Sequence, residues 1–206
     1  MGRWGTHSLF WDPRPFPRLF NKISFSRGRK SQALDPLPAL LFPVRVYRYV
    51  SGMGDGTFNP TGATTRAQFT AMIANALGYD SNPEETPSMF PDVAEDFWGK
   101  AAINFCVKND ILKGYDDGTF QPNKAITRQE AASILRNAFK LTESSSETFP
   151  DDSAISGWAK ESVYIVKASG LMKGDAGTGN FRPTDTIIRA EAASILMNAK
   201  YAGLIK

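Results

Sequence analysis

The feature of this sequence that most restricts its fold is an internal repeat of about sixty residues. A glycine-rich stretch that ends in Phe-x-Pro occurs at residues 54–60, 116–122 and 177–183. An arginine follows each proline six residues later, as Arg66, Arg128 and Arg189. The last two copies also begin with Phe-Pro-Asp and a tryptophan, Trp98 or Trp158. Such a chain folds by stacking one small unit on the next, because a single unit cannot bury its apolar face alone.

Each copy has the pattern of a helix, a turn-rich loop and a second helix. The first helix is expected to begin near the tryptophan, because apolar side chains then recur at i, i+4, i+7 and i+8 on one helical face. These stripes are Trp98, Ala102, Phe105 and Cys106 in the second copy, and Trp158, Ser162, Ile165 and Val166 in the third. No segment of the repeats has the alternation of a strand, so the predicted fold class is all-α.

The second helix of each copy is expected to start at the arginine. Thr127 with Glu130 three residues later has the form of a capping box, in which each side chain accepts from the other residue's backbone N–H. Thr65 with Gln68 has the same form, with an amide in place of the carboxylate. Ile188 takes the place of the threonine in the third copy, and losing the cap is expected to cost about 0.5–2 kcal/mol.

Charge is unevenly distributed along the 206 residues, whose formal net charge is +3. Residues 1–50 hold nine Lys or Arg and two Asp or Glu, whereas the repeats that follow are mildly acidic. A nucleic-acid binder concentrates basic residues on its folded face, so we expect no nucleic-acid partner. No stretch reaches the ~20 apolar residues that a membrane helix needs, and no signal-peptide core is visible.

The motifs together resemble the S-layer homology family. The resemblance rests on Phe90-x-Asp92, Trp98, the run Gly114-x-Asp116-Asp117-Gly118-Thr119-Phe120-x-Pro122 and Thr127-Arg128-x-Glu130, with similar residues in the third copy. It implies three motifs in a pseudo-threefold, three-pronged helical bundle with grooves between the prongs. It also implies a non-catalytic module that attaches surface proteins and exoenzymes to secondary cell-wall polysaccharide, often through a pyruvylated sugar, at the bacterial cell surface.

The first repeat departs from this pattern. Residues 50–80 match it in part, residues 88–142 and 147–204 match it as second and third repeats, and residues 1–49 do not match it. This first segment is rich in Arg and Pro without periodicity, which is typical either of a disordered extension or of a shifted reading frame. Two to three motifs are therefore predicted, the first without its front helix.

Seven residues are candidates for binding the polysaccharide. Arg66, Arg128 and Arg189 each stand at a helix start, where a glycan carboxylate would meet the guanidinium and the helix N–H groups together. The alternative for each arginine is an ion pair with Asp92, Asp151 or a loop aspartate that holds adjacent copies in register. If the arginines bind glycan, Arg128→Ala is expected to weaken wall binding with little loss of stability.

The other candidates are aromatic and lysine side chains. Trp98 and Trp158 would present a flat face on which a sugar ring stacks, although their spacing favours the core, where large aromatic residues are usually buried. Lys113 and Lys173 are secondary anion contacts or simply solvated loop lysines.

The sequence gives little support for a metal site or a catalytic site. A calcium loop with Gly118 at its sixth position would place Lys113, Tyr115, Asp117 and Lys124 at the ligand positions, and only one of these is acidic. His7 is the only histidine, and Cys106 aligns with Val166 as a small core residue. Asp92, Glu95 and Asp96 are a weak candidate for a glycosidase pair. We therefore expect a binding module without enzymatic activity, cofactor or metal; the alternative function is a helical scaffold that binds a protein partner.

Overall fold

The computed structural model describes residues 49–50, 57–79 and 86–205. The helices in these ranges are α1 (Arg66–Ala76), α2 (Lys100–Lys108), α3 (Arg128–Ala138), α4 (Gly157–Ala168) and α5 (Arg189–Tyr201), and a short 3-10 turn at Asp152–Ala154 precedes α4. These ranges contain helices and loops but no strand, which confirms the predicted all-α class. Residues 1–48, which hold nearly all of the segment that does not match the repeat, lie outside the described residues.

Helices pack in pairs that cross the repeat boundaries. The second helix of one repeat lies against the first helix of the next, so that α1 packs on α2 and α3 packs on α4. Phe69 and Ile73 of α1 and Ile103 and Cys106 of α2 are completely buried in this core. Of the predicted stripes, Ala102 and Cys106 in α2 and Ser162, Ile165 and Val166 in α4 are buried, and burying a large apolar side chain contributes about 1.5–3 kcal/mol.

The Phe-Pro-Asp motif holds the following loop in place. The two carboxylate oxygens of Asp92 accept hydrogen bonds from the backbone N–H groups of Phe120 and Gln121, at 2.8 and 2.7 Å. Asp151 accepts from Phe181 and Arg182 at the same two distances. Each aspartate thus satisfies two loop N–H groups and sets the depth of a fully buried phenylalanine.

A ring of three backbone hydrogen bonds joins the repeats. The N–H of Thr64 donates to the carbonyl of Ile187, Ile187 donates to Ile126, and Ile126 donates back to Thr64, over distances of 2.8, 3.0 and 3.0 Å. All three residues are completely buried. Because the ring closes only when each repeat contributes one residue, it places the repeats around the predicted pseudo-threefold axis.

The helix starts follow the expected capping chemistry. Thr65 accepts from the N–H of Gln68 and Thr127 accepts from that of Glu130, at 3.2 and 3.3 Å, and both reciprocal hydrogen bonds are present. Ile188 has no side-chain acceptor, so only the reciprocal half remains there, from its N–H to Oε2 of Glu191 at 3.1 Å. The sequence therefore predicted both the complete caps and the incomplete one.

Candidate functional site

The three arginines lie at the first helical positions, as predicted, but they point into the protein. Arg66, Arg128 and Arg189 are only 5%, 6% and 4% exposed. Each Nε donates to the carbonyl of a loop phenylalanine in the next repeat around the axis: Arg66 to Phe120 at 3.0 Å, Arg128 to Phe181 at 2.6 Å and Arg189 to Phe58 at 2.9 Å. The guanidinium groups therefore hold neighbouring repeats together.

The helix N–H groups beside the arginines are also used internally. The N–H of Arg66 donates to the carbonyl of Lys124, that of Arg128 to Asp185, and that of Arg189 to Gly62, at 2.9, 2.9 and 3.0 Å. The first free donors of these helices therefore already have protein partners, which argues against a glycan carboxylate that binds the helix start itself.

Arg66 and Arg128 form ion pairs with glutamates, and not with Asp92 or Asp151. Nη1 of Arg66 lies 3.9 Å from Oε1 of Glu130, and Nη1 of Arg128 lies 3.3 Å from Oε1 of Glu191. Asp92 and Asp151 instead use their oxygens on backbone N–H groups. The pairing with those aspartates was therefore wrong, because the capping glutamate of the next repeat lies closer to the guanidinium.

Burial and charge act in opposite directions at these pairs. Burial lowers the pKa of Arg128, and the charge of Glu191 opposes that shift. Burial acts to raise the pKa of Glu130, but hydrogen bonds from Tyr115 and Thr127 and the charge of Arg66 outweigh it and hold the pKa below its usual value. Arg66 therefore helps to hold Glu130 in its charged form, and Glu191 favours the charged form of Arg128.

We define groove 1–2 as the surface where Arg66 meets the loop of repeat 2. The ring centre of Tyr115 lies 4.4 Å from Cζ of Arg66 and 4.4 Å from Nζ of Lys124. The Tyr115 hydroxyl donates to Oε1 of Glu130 at 2.6 Å, and Nη2 of Arg66 donates to the carbonyl of Lys113 at 3.3 Å. Burial and the hydrogen bond to Glu130 raise the pKa of Tyr115, so its ring stays neutral between the two cations.

We define groove 2–3 as the matching surface where Arg128 meets the loop of repeat 3. A pocket of about 270 Å³ opens here, lined by Arg128, Leu171, Met172, Lys173 and one face of α5 that includes Ala190, Glu191, Ser194 and Asn198. Nη2 of Arg128 donates to the carbonyl of Lys173 at 2.9 Å. The pocket has the size of a small-ligand site at the low end of the usual range.

The third inter-repeat surface, around Arg189, is described only in part. Cζ of Arg189 lies 5.1 Å from the ring centre of Phe58, but residues 51–56 of that loop lie outside the described residues. Gln68 occupies the position of Glu130 and Glu191, so the capping side chain here is neutral.

Trp98 and Trp158 lie on the surface, which corrects the expectation that they belong to the core. They are 62% and 61% exposed. The first helix of repeat 2 begins only at Lys100, after Trp98, and Trp158 stands in the first turn of α4. Because helical side chains tilt toward the N-terminus, a residue in the first turn projects past the end of the packed helix.

The tryptophans stand beside the helix starts that carry the arginines. The N–H of Ser156, just before Trp158, donates to the side chain of Gln129 at 3.2 Å. A β-carbon built on Gly99, next to Trp98, would lie 3.7 Å from that of Ala67. The structure thus brings Trp98 close to the start of α1 and Trp158 close to the start of α3. Lys113 and Lys173 are exposed on the loops that receive the arginines.

Cys106 and Glu95, two of the residues considered for catalysis, have structural roles, and His7 lies outside the described residues. Burial raises the pKa of Cys106 to about 12, so the thiol is not a nucleophile at neutral pH. Glu95 binds the N–H of Ser88 and the ammonium of Lys100 on the surface. In the described ranges no three His, Cys, Asp or Glu side chains come together as a metal site, and no helix there is long and apolar enough to cross a membrane.

Sequence reasoning missed several residues of these grooves. Glu130 was assigned to helix capping alone, and the role of Glu130 and Glu191 as arginine partners requires the repeats to be closed around the axis. Tyr115, Lys124 and Arg182 were not singled out, although the repeat alignment shows Asp175 in place of Tyr115 and Asp185 in place of Lys124. Comparing the copies position by position was the signal that could have found them.

Comparison with known proteins agrees with the repeat pattern. The sequence profile of the S-layer homology domain matches residues 48–70, 90–132 and 148–193. A surface-layer 125 kDa protein of Lysinibacillus sphaericus is 36% identical over 149 residues, covering 71% of this chain and 12% of that protein. The exoglucanase XynX of Acetivibrio thermocellus is 36% identical over 198 residues, covering 93% of this chain and 18% of that protein.

A third relative is the S-layer protein sap of Bacillus anthracis, 36% identical over 133 residues, which cover 63% of this chain and 16% of that protein. The chain therefore spans less than a fifth of the length of each of these relatives. The match to the exoglucanase covers 93% of this chain, so it extends beyond the described ranges into the residues before 49.

Proposed function

The chain belongs to the S-layer homology domain family, and from this premise we propose that it is a non-catalytic module that anchors a surface protein to the bacterial cell wall by binding secondary wall polysaccharide. The relatives support this proposal, because two surface-layer proteins and an exoglucanase match the same repeats of this chain. The partner is then a wall-linked glycan, with a pyruvylated sugar as the acidic group.

The observation that carries the proposal is the pair of exposed tryptophans. Large aromatic side chains are usually buried, yet Trp98 and Trp158 are both more than half exposed at equivalent positions of two repeats. An indole face presented to solvent suits the C–H face of a sugar ring, and it costs little to hold rigid. Two such faces, spaced by one repeat, suit a polymer of repeating sugars.

The other candidate residues take different roles in this proposal. Lys113 and Lys173 are exposed beside the grooves and are proposed to contact the glycan. Arg66 and Arg128 are proposed as positioning residues, because they hold the loops that carry these lysines, and Arg189 is proposed to hold the repeat 1 loop at Phe58. Arg128 also lines the pocket of groove 2–3, where its guanidinium adds positive charge from beneath.

The catalytic activities and cargo of the longer relatives are a separate matter. The glucanase among them matches over less than a fifth of its length, so its activity can reside in its remaining residues. We propose that the matched part supplies attachment at the cell wall and that neither a cofactor nor a metal takes part in binding.

The proposal is tested by sedimentation with purified cell-wall sacculi. We expect the chain to sediment with untreated sacculi and to stay in solution after the secondary polymer has been chemically removed. Binding that survives removal of the polymer would instead support a protein or peptidoglycan partner, which is the alternative function. A double variant with Trp98→Ala and Trp158→Ala should lose sedimentation while its thermal unfolding is unchanged, because both side chains are exposed.

A further inference from the structure

The two fully described grooves carry different charges at equivalent positions. Groove 1–2 has the cations Arg66, Lys113 and Lys124 and the carboxylate Glu130, and its loop adds the exposed carboxylates Asp116 and Asp117. Groove 2–3 brings together Arg128, Lys173 and Arg182 with three carboxylates, Asp175, Asp185 and Glu191. With Asp116 and Asp117 counted, three cations face three carboxylates in each groove, so the grooves differ in where the charges lie and in how they are paired.

The carboxylates of groove 2–3 are paired with its exposed arginine. Arg182 lies 3.1 Å from Asp185, 3.4 Å from Glu191 and 3.9 Å from Asp175. Asp175 also accepts from the N–H groups of Gly177 and Thr178. A ligand anion that approached Arg182 would have to compete with three internal carboxylates.

In groove 1–2 the exposed cations are held in place without being neutralised. Nζ of Lys124 lies 4.4 Å from the ring centre of Tyr115, and an aromatic ring attracts a cation while leaving its charge in place. Glu130 is committed to Arg66, Tyr115 and Thr127, and Asp117 accepts from the N–H and hydroxyl of Thr119. Within residues 57–79 and 86–205, the ion pairs include neither Lys113 nor Lys124.

We infer that the acidic group of the wall glycan binds in groove 1–2, that Lys124 and Lys113 select it there, and that groove 2–3 takes a neutral part of the same polymer. This inference rests on the proposed function and names the groove and the residue that determine its specificity. Lys124 is a specificity determinant because its counterpart in repeat 3, Asp185, has the opposite charge. Residues that differ between the repeats thus let two similar grooves bind different parts of the polymer.

Two reciprocal charge exchanges test this inference. Lys124→Asp gives groove 1–2 the residue of repeat 3, and Asp185→Lys gives groove 2–3 the residue of repeat 2. Both side chains are exposed, so thermal unfolding should match that of the unchanged chain and serves as the folding control. The probes are a methyl hexosaminide that carries a pyruvyl ketal and the same glycoside without the ketal, and binding is measured by isothermal titration calorimetry.

We expect Lys124→Asp to weaken binding of the ketal by about tenfold and to leave the neutral glycoside unaffected, because only the charged group senses the exchange. Binding of the ketal by the unchanged chain should also weaken as salt is raised, since the lysines are exposed. Asp185→Lys should not weaken binding of the ketal. Equal affinity of Lys124→Asp and the unchanged chain for the ketal would overturn the inference.

The outcomes separate this inference from the proposed function. If the unchanged chain sediments with sacculi and binds the ketal, but only Asp185→Lys alters that binding, groove 2–3 is the acidic site and the anchoring function stands. If the chain sediments with sacculi but does not bind the ketal, the acidic ligand and this inference are both wrong. If it does not sediment at all, the proposed function itself fails.

Discussion

Grooves 1–2 and 2–3 share the same buried arginine contacts and differ in the side chains at their edges, which we call the rim. In both, a buried arginine donates to a phenylalanine carbonyl and to a lysine carbonyl, and pairs with the capping glutamate of the next repeat. The rim then diverges: Tyr115 and Lys124 stand in one groove where Asp175 and Asp185 stand in the other. Residues that the copies share hold the repeats together, whereas residues that differ between the copies set what each groove can bind.

The largest expected effect tests whether both arginines belong to the shared framework. Arg66→Ala and Arg128→Ala should each lower the free energy of unfolding by about 2–5 kcal/mol, because each leaves two loop carbonyls without their donor and removes the cation beside the capping glutamate. Urea denaturation measures this loss. The control is Arg136→Ala, whose pair with Glu161 lies on the surface and should change stability by about 1 kcal/mol or less.

The same two variants can also show that the arginines have different roles in the two grooves. If Arg128→Ala lost wall binding but kept its stability, as the sequence alone suggested, groove 2–3 would use its arginine as a ligand contact and groove 1–2 would differ in its framework. The buried contacts of Arg128 make a loss of stability the expected result.

An intermediate effect is expected at the helix starts that border the two grooves. Thr127→Ala should cost about 1 kcal/mol, because α3 loses the hydroxyl that accepts from the N–H of Glu130. Ile188→Thr should stabilise α5 by roughly 0.5 kcal/mol, because it supplies the missing acceptor while giving up some apolar burial. Thermal and urea unfolding show whether each variant gains or loses stability. A loss of stability in Ile188→Thr would show that burial of the isoleucine contributes more than the capping hydrogen bond.

The smallest effect concerns acid stability in groove 1–2. The pKa of Glu130 is held below its ordinary value of 4.5 in the folded protein. A depressed carboxyl pKa adds stability above the unfolded-state pKa and loses it as the pH falls through the folded-state pKa. Glu130→Gln, which copies Gln68 of repeat 1, should therefore reduce the loss of stability on acidification by less than about 1 kcal/mol.

Unfolding by urea at several pH values between neutral and about pH 3 measures this difference. The control is Glu143→Gln, an exposed glutamate in the linker after α3. If Glu130→Gln and the unchanged chain lose stability in parallel as the pH falls, the proposed charge balance around Arg66 is wrong.

Local chemistry was readable from the sequence wherever its partners were near along the chain. The capping boxes at Thr65 and Thr127, the arginines at the first helical positions and the incomplete cap at Ile188 all depend on residues within one turn. Sixty-residue periodicity gave the repeat architecture, because the copies must pack on one another.

Contacts between repeats could not be read in the same way. The partner of Arg128 is Glu191, which is 63 residues away and comes close only when the ring of hydrogen bonds around the axis closes. The exposure of Trp98 was missed because helical spacing places it on the apolar stripe, whereas the helix begins two residues later at Lys100. Periodicity does not show at which residue a helix begins, which was the error at Trp98. It also does not show which repeat a side chain contacts, which was the error at Arg128.

The most direct test of the account compares the two lysines at matched positions of the grooves. Lys113→Ala and Lys173→Ala remove one exposed cation from groove 1–2 and from groove 2–3, and sedimentation with purified sacculi at physiological salt measures the consequence. We predict that Lys113→Ala releases most of the chain from the sacculi, while Lys173→Ala stays bound. Equal retention of both variants, or release of Lys173→Ala alone, would contradict the assignment of the acidic wall ligand to groove 1–2.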